Sequence, residues 1–248
     1  MKVRLVAHTP APELVVARAA RTCYSHLDLG SLPFGGDPAA ASRLISRLLD
    51  SGHLSPLEHA VFTFAVSDVS RVTLAQLTRH RLASYSVESQ RQVPVGPSSY
   101  VEPPSLLRVP GARELFSAQV RSAIDCYRRL VELGVRREDA RYCLPQAVTT
   151  SLFLTLNARE LLLVASQRLC RRAQWEIRRL VHLMVREASR VAPALMARAG
   201  PPCLKEGVCP EGRFSCGRLD ELRRAGAAGG PRQGGGGGDG RPEVGSGA

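Results

Sequence analysis

The stretch His59-Ala-Val-Phe-Thr-Phe-Ala-Val66 determines the fold class, because it is the clearest strand in a chain with largely helical periodicity. It is rich in β-branched and aromatic residues and partly alternates apolar with small or polar positions, as strands with one buried face do. Val3, Leu5 and Ala7 alternate in the same way and predict a first strand. We therefore expect an α+β domain with a small antiparallel or mixed sheet and a largely helical second half.

Helical spacing accounts for most of the remaining chain. Ser70 can cap one helix, and Asn157 with Glu160 forms an N-x-x-E cap for another. A further helical pattern is interrupted near Pro145, while residues 83–100 are expected to be loop or extended chain. The helices predicted in this way cover residues 40–51, 70–81, 112–133, 137–156, 157–169 and 172–199.

The 248 residues divide into one predicted domain and a tail. Residues 1–219 are long enough for a single domain, in which residues 203–219 form a cysteine-containing appendix. Residues 220–248 include the run GGPRQGGGGGDG, which has too few apolar side chains to form a core. We predict that this Gly-rich segment is disordered.

The formal net charge of +12 indicates an anionic ligand or partner. Residues 201–248 hold seven Lys or Arg and six Asp or Glu, so +11 belongs to residues 1–200. Arginine used for solubility, a cleft that binds phosphates, and a nucleic-acid surface all fit this charge. The low aromatic content of 5% argues against a surface of base-stacking rings.

Cysteine usage and hydropathy favour a cytoplasmic location. The sequence contains neither an apolar stretch of membrane-spanning length nor a signal-peptide core at its start. Seven scattered cysteines, an odd number, suggest reduced thiols. Cys203, Cys209 and Cys216 could bind zinc or an iron–sulfur cluster with a fourth ligand, but their spacing is not the usual C-x2-C form. We therefore predict no metal site and no membrane partner.

The segment from Gln76 to Arg91 has the highest density of potentially functional side chains. On a helix, Gln76, Arg79 and His80 would share one face, and the cationic run from 79 to 81 would favour a nearby anion. The following Ser/Gln/Arg-rich loop could hold a phosphate. A solvated basic helix end fits the same pattern.

Arg79-His80-Arg81 followed by Ser84, Ser89 and Arg91 resembles the R-H-R-x-x-S-x-x-x-x-S-x-R signature of flavin-dependent thymidylate synthases. The similarity covers residues 1–219 and includes segments 53–59, 140–145, 156–159 and 168–177, in the family's order. It implies that family's fold, without the Rossmann G-x-G-x-x-G motif. It also implies reductive methylation of dUMP to dTMP, with FAD as cofactor, NADPH and 5,10-methylenetetrahydrofolate as co-substrates, and a homotetramer with shared active sites.

The resemblance further implies the roles of individual residues. Arg168 would be catalytic, because its guanidinium can stabilise negative charge developing on uracil. His53 would lie near the flavin ring and folate pocket. The implied dUMP contacts are Gln76, Leu77, Thr78, Arg79, Val87, Glu88, Ser89, Gln90, Arg91, Arg141 and Arg168. The implied FAD contacts are Ser55, Arg79, His80, Arg81, Val87, Asn157, Ala158, Arg159 and Leu163.

Several positions depart from the family pattern. Ser86 and Val87 stand where Asn and Glu are frequent, Leu163 replaces a polar residue, and Gln92 replaces a common aromatic. We expect these changes to affect the flavin side more than the pyrimidine side. A flavoprotein of this fold without synthase activity and a basic nucleic-acid-binding module are the alternative interpretations, although the second has no recognised binding motif.

Overall fold

A four-stranded sheet lies at the centre of the computed structural model, which describes residues 1–22, 36–96 and 99–228. Its strands are β1 (Lys2–His8), β2 (Val61–Ser70), β3 (Ala83–Val87) and β4 (Thr149–Asn157). Their order is β1-β2-β4-β3, and every neighbouring pair is antiparallel. The α+β prediction is confirmed, and of its two alternatives the sheet is antiparallel.

Strand β4 corrects the helix predicted over 137–156. Only residues 137–140 of that stretch are α-helical, and a short 3-10 turn at Arg141–Cys143 follows them. From residue 149 onward the burial alternates with a period of two: Thr150, Leu152, Leu154 and Leu156 are buried, whereas the residues between them are not. This alternation is the signature of a strand with one core-facing side, and it outweighs the helix propensity of leucine.

The helices pack mainly against one face of the sheet. The described helices are α1 (Pro12–Thr22), α2 (Pro38–Ser51), α3 (Arg71–Leu77), α4 (Ala112–Glu132), α5 (Arg137–Ala140), α6 (Ala158–Arg168), α7 (Trp175–Ser189), α8 (Pro193–Met196), α9 (Pro202–Lys205) and α10 (Arg218–Ala228). Phe62, Phe64 and Leu154 from the sheet pack with Leu161 of α6 and Leu180 of α7 in one buried core. The described chain contains no helix long and apolar enough to cross a membrane.

Two predicted helices end earlier than expected. Helix α3 ends at Leu77 instead of Arg81. The hydroxyl of Tyr85 lies 2.8 Å from the Leu77 carbonyl and 2.9 Å from the His80 carbonyl, and these two acceptors share its single proton. The helix predicted over 172–199 is broken between α7 and α8, where Pro193 has no N–H to continue the ladder. Gln76, Arg79 and His80 therefore do not share a helical face.

The other face of the sheet is open. Lys2, Arg4, Ser86 and Ser151 are not buried, and Phe153 among them keeps 53% of its surface exposed. These residues border a shallow cavity of about 510 Å³ between β1, β2, β3 and β4. Phe153 thus presents exposed apolar surface between two basic residues and two serines.

Helix α4 lies outside the main core. Its buried residues Val120, Ile124 and Tyr127 do not belong to the core beneath the sheet. They belong to a smaller unit in which the Cys143 thiol donates to the Ala123 carbonyl at 3.6 Å. This unit matters for the site because it ends in the 3-10 turn that begins with Arg141.

The C-terminal appendix follows helix α8. Helix α10 runs from Arg218 to Ala228, so the domain boundary predicted after residue 219 falls inside a helix and has to move toward the C-terminus. The rest of the predicted disordered tail, from residue 229, lies outside the described residues. The placement of Cys23 is likewise not described.

Candidate functional site

Arg168, at the end of α6, is held by a buried histidine. Its Nε donates to Nε2 of His80 at 3.0 Å, and its terminal NH2 group donates to the Gln76 carbonyl at 3.3 Å. Since His80 Nε2 accepts this bond, the histidine is neutral with its proton on Nδ1. Burial first, and the Arg168 charge second, lower the pKa of His80, which favours the same neutral form.

Glu160 completes this arrangement on the far side of His80. Its Oε1 lies 3.6 Å from His80 Nδ1, and both side chains are buried. Burial raises the pKa of Glu160, because the carboxylate is removed from water. Gln76, His80, Glu160 and Arg168 are named the buried cluster below, after the buried His80 and Glu160; Gln76 and Arg168 are half-buried.

Glu160 is the residue that sequence reasoning missed. The N-x-x-E pattern identified it only as part of a helix cap, and the cap exists: Asn157 Oδ1 accepts from the Glu160 backbone N–H at 2.8 Å. The cap occupies only the Glu160 backbone, so its side chain is free to face His80. Many helices have a glutamate in their first turn, so the sequence position of Glu160 did not indicate its contact with His80.

Tyr85 fixes the turn that carries the R-H-R motif. Its hydroxyl contacts the carbonyls of Leu77 and His80, one on each side of Arg79. Burial, together with the nearby Glu160, raises the pKa of Tyr85 to about 12, so the hydroxyl remains a donor. The turn therefore directs His80 inward and leaves Arg79 and Arg81 exposed. In the described chain neither arginine has a hydrogen bond or ion pair, which leaves both guanidinium groups available for an anion.

A cavity of about 870 Å³ lies beside this turn. It brings together three predicted flavin contacts, Asn157, Arg159 and Leu163, and Leu82 of the turn also lines it. Arg159 is paired with Glu58, which also borders the cavity. The volume and the leucine lining fit a ligand with a flat apolar ring, such as FAD. Four carboxyl side chains also line the cavity, so a diphosphate would have to lie toward Arg79 and Arg81 on the neighbouring turn, outside the lining itself.

The predicted phosphate contacts form a second group. Ser89 Oγ accepts from the Arg91 backbone N–H at 3.2 Å, and the Arg91 guanidinium pairs with Glu138 Oε2 at 2.8 Å. Arg141 donates through Nε to the Glu138 carbonyl at 3.1 Å, so it does not form the carboxylate pair with Glu138 that helical spacing suggests. Ser89, Arg91, Glu138 and Arg141 are named the exposed group below, after the exposed Arg91; the other three residues are half-buried.

Arg71 lies next to the exposed group and was not predicted. Its NH2 donates to the Glu88 carbonyl at 2.9 Å, while its Nε is buried and has no partner in the described chain. Burial lowers the pKa of Arg71, Glu88 opposes this, and the nearby Arg141 adds to it. The Arg71 guanidinium thus contacts Glu88, and Arg91 contacts Ser89 through its backbone N–H. Arg141 lies near enough to Arg71 to lower its pKa.

Some predicted contacts can act only through the backbone. The side chains of Leu77 and Ala158 are buried, and Val87 packs against the core. Their backbones are partly engaged, since the Leu77 carbonyl faces Tyr85 and the Ala158 N–H donates to the Ala60 carbonyl at 2.8 Å. The remaining predicted residues are exposed or half-buried: His53, Ser55, Thr78, Glu88 and Gln90. No hydrogen bond or ion pair joins the buried cluster directly to the exposed group within the described chain.

Comparison with known proteins adds three kinds of finding. The family described as "Thymidylate synthase complementing protein" matches residues 4–194. A flavin-dependent thymidylate synthase of Geobacter sulfurreducens is 42% identical over 226 residues, which span 90% of this chain and 97% of the relative. The enzyme of the same name from Clostridium tetani is 38% identical over 240 residues, or 90% of this chain and 96% of the relative.

Two solved structures are similar in fold. The UMP/dUMP methylase PolB of Streptomyces cacaoi, bound with 5-Br dUMP, has a TM-score of 0.70 and 29% identity and covers 79% of this chain and 93% of its own. The flavin-dependent thymidylate synthase ThyX of Helicobacter pylori, complexed with FAD and dUMP, has a TM-score of 0.65 and 26% identity. The match covers 81% of this chain and 100% of the ThyX chain.

Proposed function

The chain belongs to the flavin-dependent thymidylate synthase family, and from this membership we propose how its own residues bind the substrates and promote the reaction. It is an FAD-dependent enzyme that methylates dUMP to dTMP. The residue roles, the co-substrates and the assembly given below are proposals that rest on the geometry of the described chain.

The orientation of Arg168 by His80 and Glu160 is the observation that carries the proposal. Two of the guanidinium donors are bound to His80 and Gln76, so the remaining N–H groups have a fixed direction. A guanidinium held in this way can bind the O4 and N3 side of uracil and stabilise the negative charge that develops there. Because its donors are already oriented before substrate binds, little reorganisation is needed during the reaction.

FAD would occupy the 870 Å³ cavity. Arg79, Arg81 and the N-terminus of α6 would bind its diphosphate, and the leucines would line its ring. When bound, FAD supplies the hydride that reduces a one-carbon unit to a methyl group. We propose that 5,10-methylenetetrahydrofolate supplies that carbon, with His53 beside the folate. NADPH would be the reductant of FAD. Leu163 and Val87 offer no side-chain hydrogen bond, so the arginines would provide most of the affinity for FAD.

The exposed group would hold the dUMP phosphate. Ser89, Arg91 and Arg141 provide a hydroxyl and two guanidinium groups, and Arg71 adds a third guanidinium beside them. In the chain without ligand, Arg91 is paired with Glu138. Phosphate binding would therefore exchange one anion for another at Arg91, at a small net gain, because exposed ion pairs contribute little.

We propose a homotetramer in which the buried cluster and the exposed group of one site come from different subunits. The absence of a direct contact between them in the described chain supports this, as does the exposed sheet face around Phe153. Leu82 beside the flavin cavity and Tyr142 beside Arg141 keep 74% and 86% of their surfaces exposed. Apolar side chains next to a polar site are expected where a second subunit closes it. We place this enzyme in the cytoplasm, among reduced thiols.

The decisive assay measures dTMP formation from dUMP with FAD, NADPH and methylenetetrahydrofolate, and then omits each component in turn. We expect NADPH oxidation and dTMP in equal amounts, with no dTMP when any component is left out. A parallel assay with UMP tests the wider substrate range suggested by the similarity to a UMP/dUMP methylase. A yellow protein that binds FAD and dUMP without forming dTMP would contradict the proposed roles and favour the inactive flavoprotein.

A further inference from the structure

Four cysteines line one cavity at the C-terminal end of α6. The cavity has a volume of about 430 Å³, and its lining includes Cys170, Cys203, Cys209 and Cys216. Cys170 follows Arg168 by two residues, whereas the other three lie on the appendix. The sequence spacing grouped only the three appendix cysteines. In the folded chain Cys170 lines the same cavity.

The four thiols lie close enough to interact. Burial is the main cause that raises the pKa of Cys203, and Arg218 opposes it. The thiols of Cys170, Cys216 and Cys209 then raise it further, which places all of them in the electrostatic environment of Cys203. Within the described chain, however, no three His, Cys, Asp or Glu side chains are arranged to hold a single metal ion.

The appendix exposes its larger apolar side chains, whereas two of its three thiols are half-buried and the third, Cys216, is exposed. Leu204, Val208 and Phe214 are exposed, whereas Cys203 and Cys209 are half-buried toward the cavity. A short segment without a hydrophobic core needs another source of stability, for which small proteins use metal centres or disulfides. Burial of apolar side chains therefore does not account for the folded structure of residues 203–216.

The charges around the cavity favour an anionic centre. Arg168, Arg172 and Arg218 line it together with a single acid, Glu211, which gives a formal balance of +2. Four thiolates with a divalent metal ion or a [4Fe–4S] cluster carry a charge of about −2. Arg172 also contacts the appendix directly, through an ion pair with Glu211 and through the Phe214 ring 5.4 Å from its guanidinium carbon.

We propose that Cys170, Cys203, Cys209 and Cys216 bind a thiophilic metal centre, an iron–sulfur cluster in preference to a zinc ion, which fastens the appendix to the segment after Arg168. A zinc ion requires four sulfurs that converge on one point, about 2.3 Å from the metal. In a [4Fe–4S] cluster each thiolate binds a different iron, so the sulfurs are spread around a larger volume. Four thiols that line one cavity of about 430 Å³ fit the second arrangement.

The test is the metal and sulfide content of the full chain, purified without oxygen and also reconstituted with ferrous iron and sulfide or with Zn²⁺ alone. We expect about four iron and four sulfide per chain. Cys170→Ser and Cys209→Ser should each lose more than half of this content. The matched control Cys126→Ser, on exposed α4, should retain it.

Further measurements keep the outcome clear. FAD binding and circular dichroism show whether each variant is folded, and hydrogen exchange over residues 203–217 should increase only when a cavity cysteine is replaced. One zinc per chain, lost in the same variants, would support the four-thiolate site and overturn the choice of a cluster. A chain without bound metal after both reconstitutions, or a disulfide between two of the four cysteines in the anaerobic protein, would overturn the proposal.

Discussion

The buried cluster and the exposed group contain arginines that are held in different ways. Arg168 of the buried cluster donates to a neutral histidine and a carbonyl, so its charge has no paired carboxylate. Arg91 of the exposed group is paired with Glu138, whose other oxygen binds Arg136. The charge of Arg168 is not paired with a carboxylate and can act on a substrate. Arg91 has to release the Glu138 carboxylate before it can bind a phosphate. Catalysis needs the first arrangement, while reversible phosphate binding is compatible with the second.

The largest expected effect is that of Arg168→Ala. The comparison predicts a loss of about a hundredfold to a thousandfold in dTMP formation, because an oriented donor to developing charge is removed. FAD binding should be unchanged, since Arg168 does not border the flavin cavity. Arg171→Ala is the matched control: this arginine lies three residues further on and pairs with Glu221. Comparable losses in both variants would show that the effect is not specific to Arg168 and would contradict its proposed role.

The pH dependence tests the neutral state of His80. Its pKa is lowered in the folded chain, so the stability that it contributes is present above its ordinary pKa of about 6.5 and is lost as the pH falls. Protonation of Nε2 would also displace the Arg168 donor. We expect urea unfolding to show lower stability at pH 5.5 than at pH 7.5. The turnover rate should fall only below the ordinary histidine pKa of about 6.5, because His80 of the folded enzyme gains its proton at a lower pH. His80→Gln should flatten this acidic limb, and an unchanged profile in that variant would rule out His80 as its cause.

Glu160→Gln tests whether the carboxyl behind His80 positions Arg168. We expect about a tenfold loss in kcat with little change in KM, because a neutral amide replaces the carboxyl group that faces Nδ1 of His80 at 3.6 Å. Because burial raises the pKa of Glu160, its ionised form costs stability as the pH rises. The variant should therefore be at least as stable as the parent at pH 8. Glu221→Gln, at an exposed pair, provides the matched control. A KM effect without a kcat effect would contradict a positioning role.

The smallest expected effect concerns the exposed group. Glu138→Gln removes the competing carboxylate from Arg91, so KM for dUMP should fall about twofold to fivefold, the value of an exposed ion pair. Neither kcat nor FAD affinity should change. Asp125→Asn, which removes an exposed pair with Arg128 on α4, is the control. A large decrease in kcat would mean that Glu138 has another role.

The sequence predicted the fold class and the two strands β1 and β2, because their patterns are local. It failed for β4, since leucines at alternating positions also satisfy helical propensity and only the neighbouring strands decide between the two. The end of α3 at Leu77 involves a contact with the hydroxyl of Tyr85, eight residues away. The motif indicated Arg79, His80 and Arg168 as functional residues, but the inward direction of His80 and its contact with Glu160 arise from tertiary packing.

A mixed-subunit experiment tests the division of the site between chains most directly. Arg168→Ala chains and chains that carry both Arg91→Ala and Arg141→Ala, in which the exposed group has lost both of its guanidinium groups, are prepared separately, unfolded together, refolded in equal amounts and assayed at dUMP concentrations below KM. If the buried cluster and the exposed group of one site come from different subunits, about a quarter of the sites in the mixture regain both an intact buried cluster and an intact exposed group. Activity should then rise to about a quarter of the parent value, far above either variant alone. Activity that stays at the mean of the two separate variants would show that one chain supplies both groups and would contradict the account.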